Sequence, residues 1–188
     1  MTLDQVANVR AGHGFRGAIA PAEDGNGLVI QPRDQSADGR INWANLIKAQ
    51  VTGRKPPEWL KDGDILFLAR GGNNVASLLA GVSQPVVCSP YFYVIEVKDN
   101  SVILPSFLAW QLNQAAAQRY FQMSGEGSVQ LSIRRTILEN TPIALPPLSQ
   151  QQQIMQLVQC AEQEQQAFQR LIELRQQEIN AVTQNLFN

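Results

Sequence analysis

The sequence predicts an α/β fold in which a mixed, β-rich domain is followed by one long α-helix of the coiled-coil type. Two observations lead to this prediction. All 13 glycines and all 10 prolines lie at or before Pro147, and short strand-like runs alternate there with turn signals. Residues 148–188 contain neither glycine nor proline and carry apolar residues at helical spacing. We therefore divide the chain into a domain at residues 1–147 and a helix at residues 148–188.

The first region holds apolar, β-branched and aromatic runs that are bounded by glycine, proline and other turn residues. These runs predict strands at residues 27–32, 64–69, 85–90, 91–97 and 101–104. Pro105 can open a helix, because proline suits the first helical position. Apolar residues at helical spacing extend this helix over residues 107–122, and a shorter helical stretch is predicted at residues 132–139.

The second region repeats its apolar residues at steps of alternately four and three, which is the spacing of a coiled-coil seam. A helix over residues 150–187 would be roughly 55 Å long, too long for a small domain to cover. We expect it to pair with another chain as a homodimer, because this sequence holds no second long helix for an intramolecular hairpin. The seam consists of Ile154, Val158, Ala161, Gln165, Phe168, Ile172, Arg175, Ile179, Val182 and Leu186.

The charge of the chain is nearly balanced, with a formal net charge of −1. Residues 148–188 hold two arginines and four glutamates, a charge of −2, so the remainder carries +1. A nucleic-acid binder usually has a basic footprint. If DNA is the ligand, affinity must come from a local basic patch or from a partner that supplies phosphate contacts.

Other features bound the compartment and the metal chemistry. No apolar run reaches the roughly 18 residues that a membrane span needs, and the first residues lack the apolar stretch of a signal peptide. Cys88 and Cys160 are far apart in apolar-patterned segments, which predicts reduced cysteines in a cytoplasmic protein with no membrane partner. One histidine and two cysteines do not make a zinc site of the usual type.

Few residues carry a recognisable catalytic pattern. The sequence has no phosphate-binding P-loop and no dinucleotide-binding glycine motif. The single histidine, His13, lies in a glycine-rich loop, where a surface role suits it better than general-base catalysis. Glu96 and Lys98 resemble half of a nuclease metal site, with Asp64 as the best acidic partner on a neighbouring strand. A small metal-dependent nuclease is therefore one alternative.

Polar residues in the loops of the first region favour recognition over catalysis. Arginine recognises guanine and asparagine or glutamine recognises adenine in the major groove, and arginine and lysine also hold phosphates. Any one of these residues taken alone is better explained as a solvated loop residue, and only the set points to DNA. The candidate DNA-binding residues are Arg16, Arg33, Arg40, Arg54, Lys55, Arg70, Asn73, Asn74, Ser128, Gln130, Arg134 and Arg135.

The order of short motifs along the chain resembles a known family. The motifs are Leu-Asp-Gln-Val-Ala at residues 3–7, Leu-Lys-Asp-Gly-Asp-Ile-Leu-Phe at 60–67, Arg-Gly at 70–71, Leu-Pro-Ser-Phe-Leu-Ala-Trp-Gln-Leu at 104–112, Gly-Ser-Val-Gln-Leu-Ser at 127–132 and Pro-Ile-Ala-Leu-Pro-Pro-Leu-Ser-Gln-Gln-Gln-Gln-Ile at 142–154. In this order they resemble the target-recognition domain and following helix of type I restriction–modification specificity subunits. The resemblance covers nearly the whole chain, and its sharpest piece is the Pro-Pro segment that leads into the long helix.

The resemblance implies an α/β domain whose loops enter the major groove at one half of a bipartite site in double-stranded DNA. The helix would pack antiparallel against a second such helix and set the separation of the two half-sites. A modification subunit that binds S-adenosylmethionine and methylates adenine would dock on this framework, and a restriction subunit would join it. The chain itself would then hold no cofactor and would not be an enzyme. An adaptor of the same fold that does not read DNA is the alternative.

The sequence departs from the family pattern in one respect. A complete specificity subunit carries two recognition domains and two helices, whereas one of each is found here. The chain is then a half-length subunit that dimerises on a palindromic bipartite site, a fragment of a longer subunit, or a degenerate relative. A symmetric antiparallel pair would bury each exposed seam against its copy.

Overall fold

The computed structural model describes residues 1–53, 56–71, 73–125 and 131–186, with the side chains of residues 185 and 186 left out. The chain divides into two compact units, Met1–Leu148 and Ser149–Asn188. Its strands are β1 (Ala7–Ala11), β2 (Gly27–Ile30), β3 (Ile47–Ala49), β4 (Ile65–Leu68), β5 (Ala76–Leu78), β6 (Val86–Cys88) and β7 (Phe92–Val97). Its helices are α1 (Leu3–Val6), α2 (Pro105–Leu112), α3 (Ala115–Ser124), α4 (Arg135–Glu139) and α5 (Leu148–Leu186).

The strands of the first unit form two sheets. One sheet has four strands in the order β1-β7-β4-β5, and every neighbouring pair in it is antiparallel. The other has three strands in the order β3-β2-β6, with β2 antiparallel to β3 and parallel to β6. The predicted fold class, a mixed sheet-containing domain followed by a long helix, is confirmed.

Strand β4 forms the centre of the core because all four of its side chains are buried. Leu66 and Leu68 pack in one cluster with Ile30 and Val86 of the three-stranded sheet. Phe67 points to the opposite face, as the two-residue period of a strand requires, and its ring centroid lies 5.0 Å from that of Phe121 in α3. The strand is therefore covered on both faces, which explains why its sequence is continuously apolar.

Four of the predicted strands are confirmed as β2, β4, β6 and β7, and the fifth is wrong. Residues 101–104 lead into α2 through a turn instead, in which the main-chain N–H of Val102 donates to the carbonyl of Asp99 at 3.1 Å. Strands β1, β3 and β5 were not predicted, since they are short or contain polar residues.

The single helix predicted at residues 107–122 is wrong, because the chain breaks at Asn113 and Gln114 to give α2 and α3. The Asn113 amide oxygen accepts from the main-chain N–H of Ala76, and its amide nitrogen donates to the carbonyl of Ala76, both at 2.8 Å. This pairing with the edge of β5 occupies Asn113 at the end of α2. The helix predicted at residues 132–139 is shorter in the structure, where α4 begins at Arg135. Ile133 precedes it, and its N–H donates to the carbonyl of Ala69 at 3.0 Å.

Helix α5 is 39 residues long and matches the long helix predicted from the four-and-three spacing. Several of its large apolar side chains are mostly exposed, with Leu157 at 71%, Phe168 at 66% and Ile172 at 62%. Among the described residues, none of the helices is long and apolar enough to cross a membrane.

A close backbone approach at Gly12 allows the end of β1 to pack against the segment after β6. A Cβ added to Gly12 would lie 2.2 Å from the carbonyl oxygen of Ser89, whereas a Cβ at Gly14 would meet nothing within 4 Å. We predict that Gly12→Ala destabilises the protein by about 1–3 kcal/mol, since overpacking forces the backbone apart. The matched control Gly14→Ala should change stability by no more than about 0.5 kcal/mol. Urea unfolding midpoints measure both, and equal midpoints would contradict the close approach.

Candidate nucleic-acid interface

Loops from distant parts of the chain meet at one end of the four-stranded sheet. In the antiparallel register Leu68 at the end of β4 lies opposite Phe92 at the start of β7, and Phe67 lies opposite Ala76 at the start of β5. The end of β1 reaches the same edge, because Ala11 lies opposite Tyr93. The segments that follow β1 and β4 therefore lie beside those that precede β5 and β7. We call this end of the sheet the loop edge.

Ala69, directly after β4, joins its segment through its main chain to the turn before β7 and to the segment before α4. Its N–H donates to the carbonyl of Tyr91 at 2.9 Å, and its carbonyl accepts from the N–H of Ile133 at 3.0 Å. Ala69 itself is 2% exposed, whereas its successor Arg70 is exposed. Arg70, Tyr91 and Arg134 are consequently held near one another by buried backbone hydrogen bonds.

Arg33 reaches the loop edge on a short 3-10 turn at Pro32–Asp34. The Asp34 carboxylate is buried and accepts from the main-chain N–H of Gln31 at 2.8 Å, which fixes the start of the turn. The Asp34 carbonyl also accepts from the N–H of Asn42 at 2.8 Å. With this turn anchored, the Arg33 side chain remains 65% exposed, with its Nε 3.9 Å from the Asp34 carboxylate.

A surface pocket of about 480 Å³ brings Arg33 and Asn73 together. Its lining also includes Ser36 and Gly71, the latter directly after Arg70. The pocket lining thus brings together an exposed arginine and an exposed asparagine, whereas the Ser36 hydroxyl is engaged by Asp38 and by the main chain of Arg40. Paired hydrogen bonds from such groups are what recognition of a base edge requires.

Asn74 is wrong as a DNA-reading candidate. Its side chain is 6% exposed, and its amide nitrogen donates to the carbonyl of Leu68 at 3.0 Å. Its own carbonyl accepts from the Gln118 side chain at 2.9 Å. Asn74 therefore holds the loop in place, whereas its neighbour Asn73 is exposed at the pocket.

Other candidates lie in exposed positions with differing partners. Arg40 pairs with Asp38 at 3.1 Å, and Arg135 pairs with Glu139 of the same helix at 2.8 Å. Arg134 is exposed at the start of α4, and Arg16 is exposed in the loop after β1. The candidates outside the described residues are Arg54, Lys55, Ser128 and Gln130.

Two exposed residues of the loop edge were missed by the sequence analysis, namely Ser36 and Tyr91. Ser36 lines the pocket with Arg33. Tyr91 was assigned to a strand, but the strand begins at Phe92, which leaves the tyrosine in the preceding turn and 50% exposed. Pro90 immediately before it was the signal for a turn at this position.

The residues of the nuclease alternative have other partners. The Glu96 carboxylate forms an ion pair with Lys61, and the Lys98 ammonium donates to the carbonyl of Asp4. Asp64 is buried and accepts from the N–H of Lys61 at 3.1 Å. Desolvation raises the pKa of Asp64, against the opposing effects of the Lys61 hydrogen bond and the Arg10 charge. In the described part of the chain no group of three or more His, Cys, Asp or Glu side chains could hold a metal ion.

A second pocket, of about 320 Å³, lies near the end of β1 and is lined by His13, Arg10 and Cys88. The His13 Nε2 atom lies 3.2 Å from the carbonyl of Thr52, in hydrogen-bonding range. Arg10 pairs with Glu58 at 3.3 Å. Burial raises the pKa of the Cys88 thiol to about 12, so it remains protonated and unreactive at neutral pH.

The seam residues predicted on α5 differ in exposure. Ile154 and Val158 are partly buried. Arg175 pairs with Glu178 at 2.7 Å along the helix surface. The side chain of Leu186 lies outside the description. The exposed members are Ala161, Gln165, Phe168, Ile172, Arg175, Ile179 and Val182.

The first unit is a mixed sheet-containing domain with exposed polar loops and is followed by a long helix, and comparison with known proteins assigns the family. Residues 1–184 match the family described as the type I restriction modification DNA specificity domain. The chain belongs to this family. A search of the curated proteins found no match.

Solved structures share the fold. A structure described by its part in complex assembly and conformational transition of the type I restriction–modification system is similar over 91% of this chain and 43% of its own, with TM-score 0.68 and 18% identity. The HsdS subunit from Thermoanaerobacter tengcongensis is similar over 90% of this chain and 38% of its own, with TM-score 0.60 and 20% identity. The S subunit from M. genitalium is similar over 74% of this chain and 32% of its own, with TM-score 0.50 and 14% identity. The chain spans less than half the length of each.

The two neighbouring asparagines give a direct test of the loop geometry. We predict that Asn74→Ala destabilises the protein by about 1–3 kcal/mol, because the carbonyl of Leu68 loses its buried donor. Asn73→Ala should stay within about 0.5 kcal/mol of the parent, since its side chain is exposed. Thermal unfolding by circular dichroism compares the two variants. A larger loss of stability in Asn73→Ala than in Asn74→Ala would mean that Asn73, and not Asn74, holds the loop in place.

Proposed function

We propose that this chain is a DNA-recognition component of a type I specificity subunit and performs no chemistry itself. In this role it directs a partner adenine methyltransferase, and a restriction subunit, to one half of a bipartite site in double-stranded DNA. S-adenosylmethionine is bound by the partner. The role requires the cytoplasm, where DNA and this cofactor are found.

The observation that carries the proposal is the pocket lined by Arg33 and Asn73, with Arg70 directly before the lining residue Gly71, in a chain from the DNA specificity family. A guanidinium can donate two hydrogen bonds to guanine, and an asparagine amide can pair with adenine. All three side chains are exposed. They lie on loops held by buried hydrogen bonds, so little conformational freedom is lost when they meet a base.

The charge of the chain fits a DNA-recognition subunit that binds DNA together with partner subunits. A net charge of −1 gives weak attraction to a phosphate backbone. We assign base recognition to the loop edge and much of the phosphate contact to the methyltransferase subunit. The same charge favours the second candidate, an adaptor that keeps the fold without reading DNA, and a DNA selection separates the two.

The second half-site requires a second recognition domain. Helix α5 exposes apolar side chains over its length, including Phe168, Ile172 and Ile179. Such a stripe needs a partner helix. We propose that two copies pair through this seam, which is defined by the ten residues named in the sequence analysis, and read a palindromic bipartite site.

Removing an arginine from the loop edge should weaken sequence-specific binding. We predict that Arg33→Ala and Arg70→Ala each reduce affinity about 5- to 100-fold, the cost of one lost base contact. The duplex is the one that the wild-type chain recovers from a random library with its methyltransferase subunit present. Fluorescence anisotropy measures affinity for this duplex and for an unrelated one.

The matched control is Arg170→Ala on α5, which removes an arginine that pairs with Glu173 at 3.7 Å. It should bind as the wild type does. A loss of equal size on both duplexes would assign the arginine to a phosphate instead of a base. Unchanged binding in both loop variants would mean that the loop edge does not recognise DNA. A random library from which the wild type recovers no preferred sequence would favour the adaptor.

Placing a charge in the seam of α5 should separate the paired helices. We predict that the wild-type chain is a dimer by light scattering, and that Phe168→Glu and Ile172→Glu are monomers because the charge cannot be buried in a seam. Gln177→Glu adds the same charge outside the seam and should leave the dimer intact. A wild-type monomer would contradict self-pairing and point to another chain as the partner of α5.

A further inference from the structure

Tyr91 is a half-exposed aromatic residue at the loop edge for which the fold has little use. Its side chain is 50% exposed, whereas the next residue, Phe92, is fully buried in the core. No other aromatic ring and no side-chain hydrogen bond is paired with Tyr91 in the part of the chain that the structure describes. The tyrosine therefore presents about half of its surface to solvent.

The backbone of Tyr91 is fixed on both sides. Its carbonyl accepts from the N–H of Ala69 at 2.9 Å, and the N–H of Phe92 donates to the carbonyl of Ser89 at 3.1 Å. The turn is thus tied both to the segment that carries Arg70 and to the end of β6. A rigid aromatic side chain of this kind makes contacts at a low entropy cost.

The tyrosine ring lies against Gly71 of the arginine-bearing loop. A Cβ added to Gly71 would lie 3.3 Å from Cδ1 and 3.5 Å from Cε1 of the ring. Gly71 also has a φ of 81°, a conformation that side chains other than glycine rarely adopt. The absence of a side chain at Gly71 lets the ring lie directly against this residue, which also lines the pocket.

We propose that Tyr91 is a base-reading residue whose ring packs against the 5-methyl group of a thymine in the major groove. The inference rests on the proposed function. Thymine is the base that presents an apolar group in that groove, and aromatic side chains make this contact. Arg70 directly precedes Gly71, and Asn73 lines the same pocket as Gly71, so both can supply polar groups for neighbouring base pairs. Tyr91 therefore sets a preference that the arginines and asparagine cannot supply.

Replacing thymine by deoxyuridine removes only the methyl group, which makes the test direct. The wild-type chain, with its methyltransferase subunit, first selects a duplex from a random library. Each thymine of that duplex is then replaced singly by deoxyuridine. We expect one position at which the wild type binds about fourfold more weakly, the effect of one buried methyl group. Tyr91→Phe should behave as the wild type, and Tyr91→Ala should bind the two duplexes equally.

Several outcomes would overturn the inference. They are a selected duplex with no thymine that responds to the replacement, and a Tyr91→Ala variant that still discriminates as the wild type does. A Tyr91→Phe variant as weak as Tyr91→Ala would assign the hydroxyl to a phosphate and remove the thymine contact. The first readout uses only the wild-type chain, so it stands even if Tyr91→Ala folds poorly. Failure of the wild type to select any sequence would instead remove the proposed function.

Discussion

Two main-chain hydrogen bonds at Ala69 hold together the segments that carry Arg70, Tyr91 and Arg134. One joins the end of β4 to the turn before β7, and the other joins it to the segment before α4. Both are buried, where an unpaired N–H or carbonyl would cost about 1–3 kcal/mol. Because β4 is covered on both faces, the core also holds Ala69, the residue directly after this strand, in place. The loops at this edge are accordingly held by the scaffold and need little ordering when they meet a ligand.

At the loop edge, buried polar side chains hold the loops in place, whereas exposed side chains face the solvent. Asp34 and Asn74 are buried, and their side chains form hydrogen bonds with the backbone of the loops that carry Arg33 and Asn73. Their exposed neighbours keep donors available for base edges. This division leaves Arg33 and Asn73 exposed in one pocket of a chain with a net charge of −1, and it fits membership of a DNA specificity family.

The sequence predicted those parts of the fold that depend on local pattern. The buried strand β4 and the long helix α5 follow from a continuous apolar run and from four-and-three spacing. The break at Asn113 could not be predicted, because it comes from hydrogen bonds to Ala76, far away in the chain. For the same reason Asn73 and Asn74 are indistinguishable in sequence, although the fold buries only the second. DNA contact by the remaining candidates stays a prediction.

Ultraviolet crosslinking of the selected duplex to the protein, followed by mapping of the linked peptides, tests most directly whether the loop edge reads DNA. We expect crosslinked peptides that contain Arg33, Arg70 and Tyr91, all at the end of the four-stranded sheet where β4 finishes. The opposite end of the sheet carries the turns at residues 61–63 and 98–102. Crosslinks confined to those turns would contradict the account.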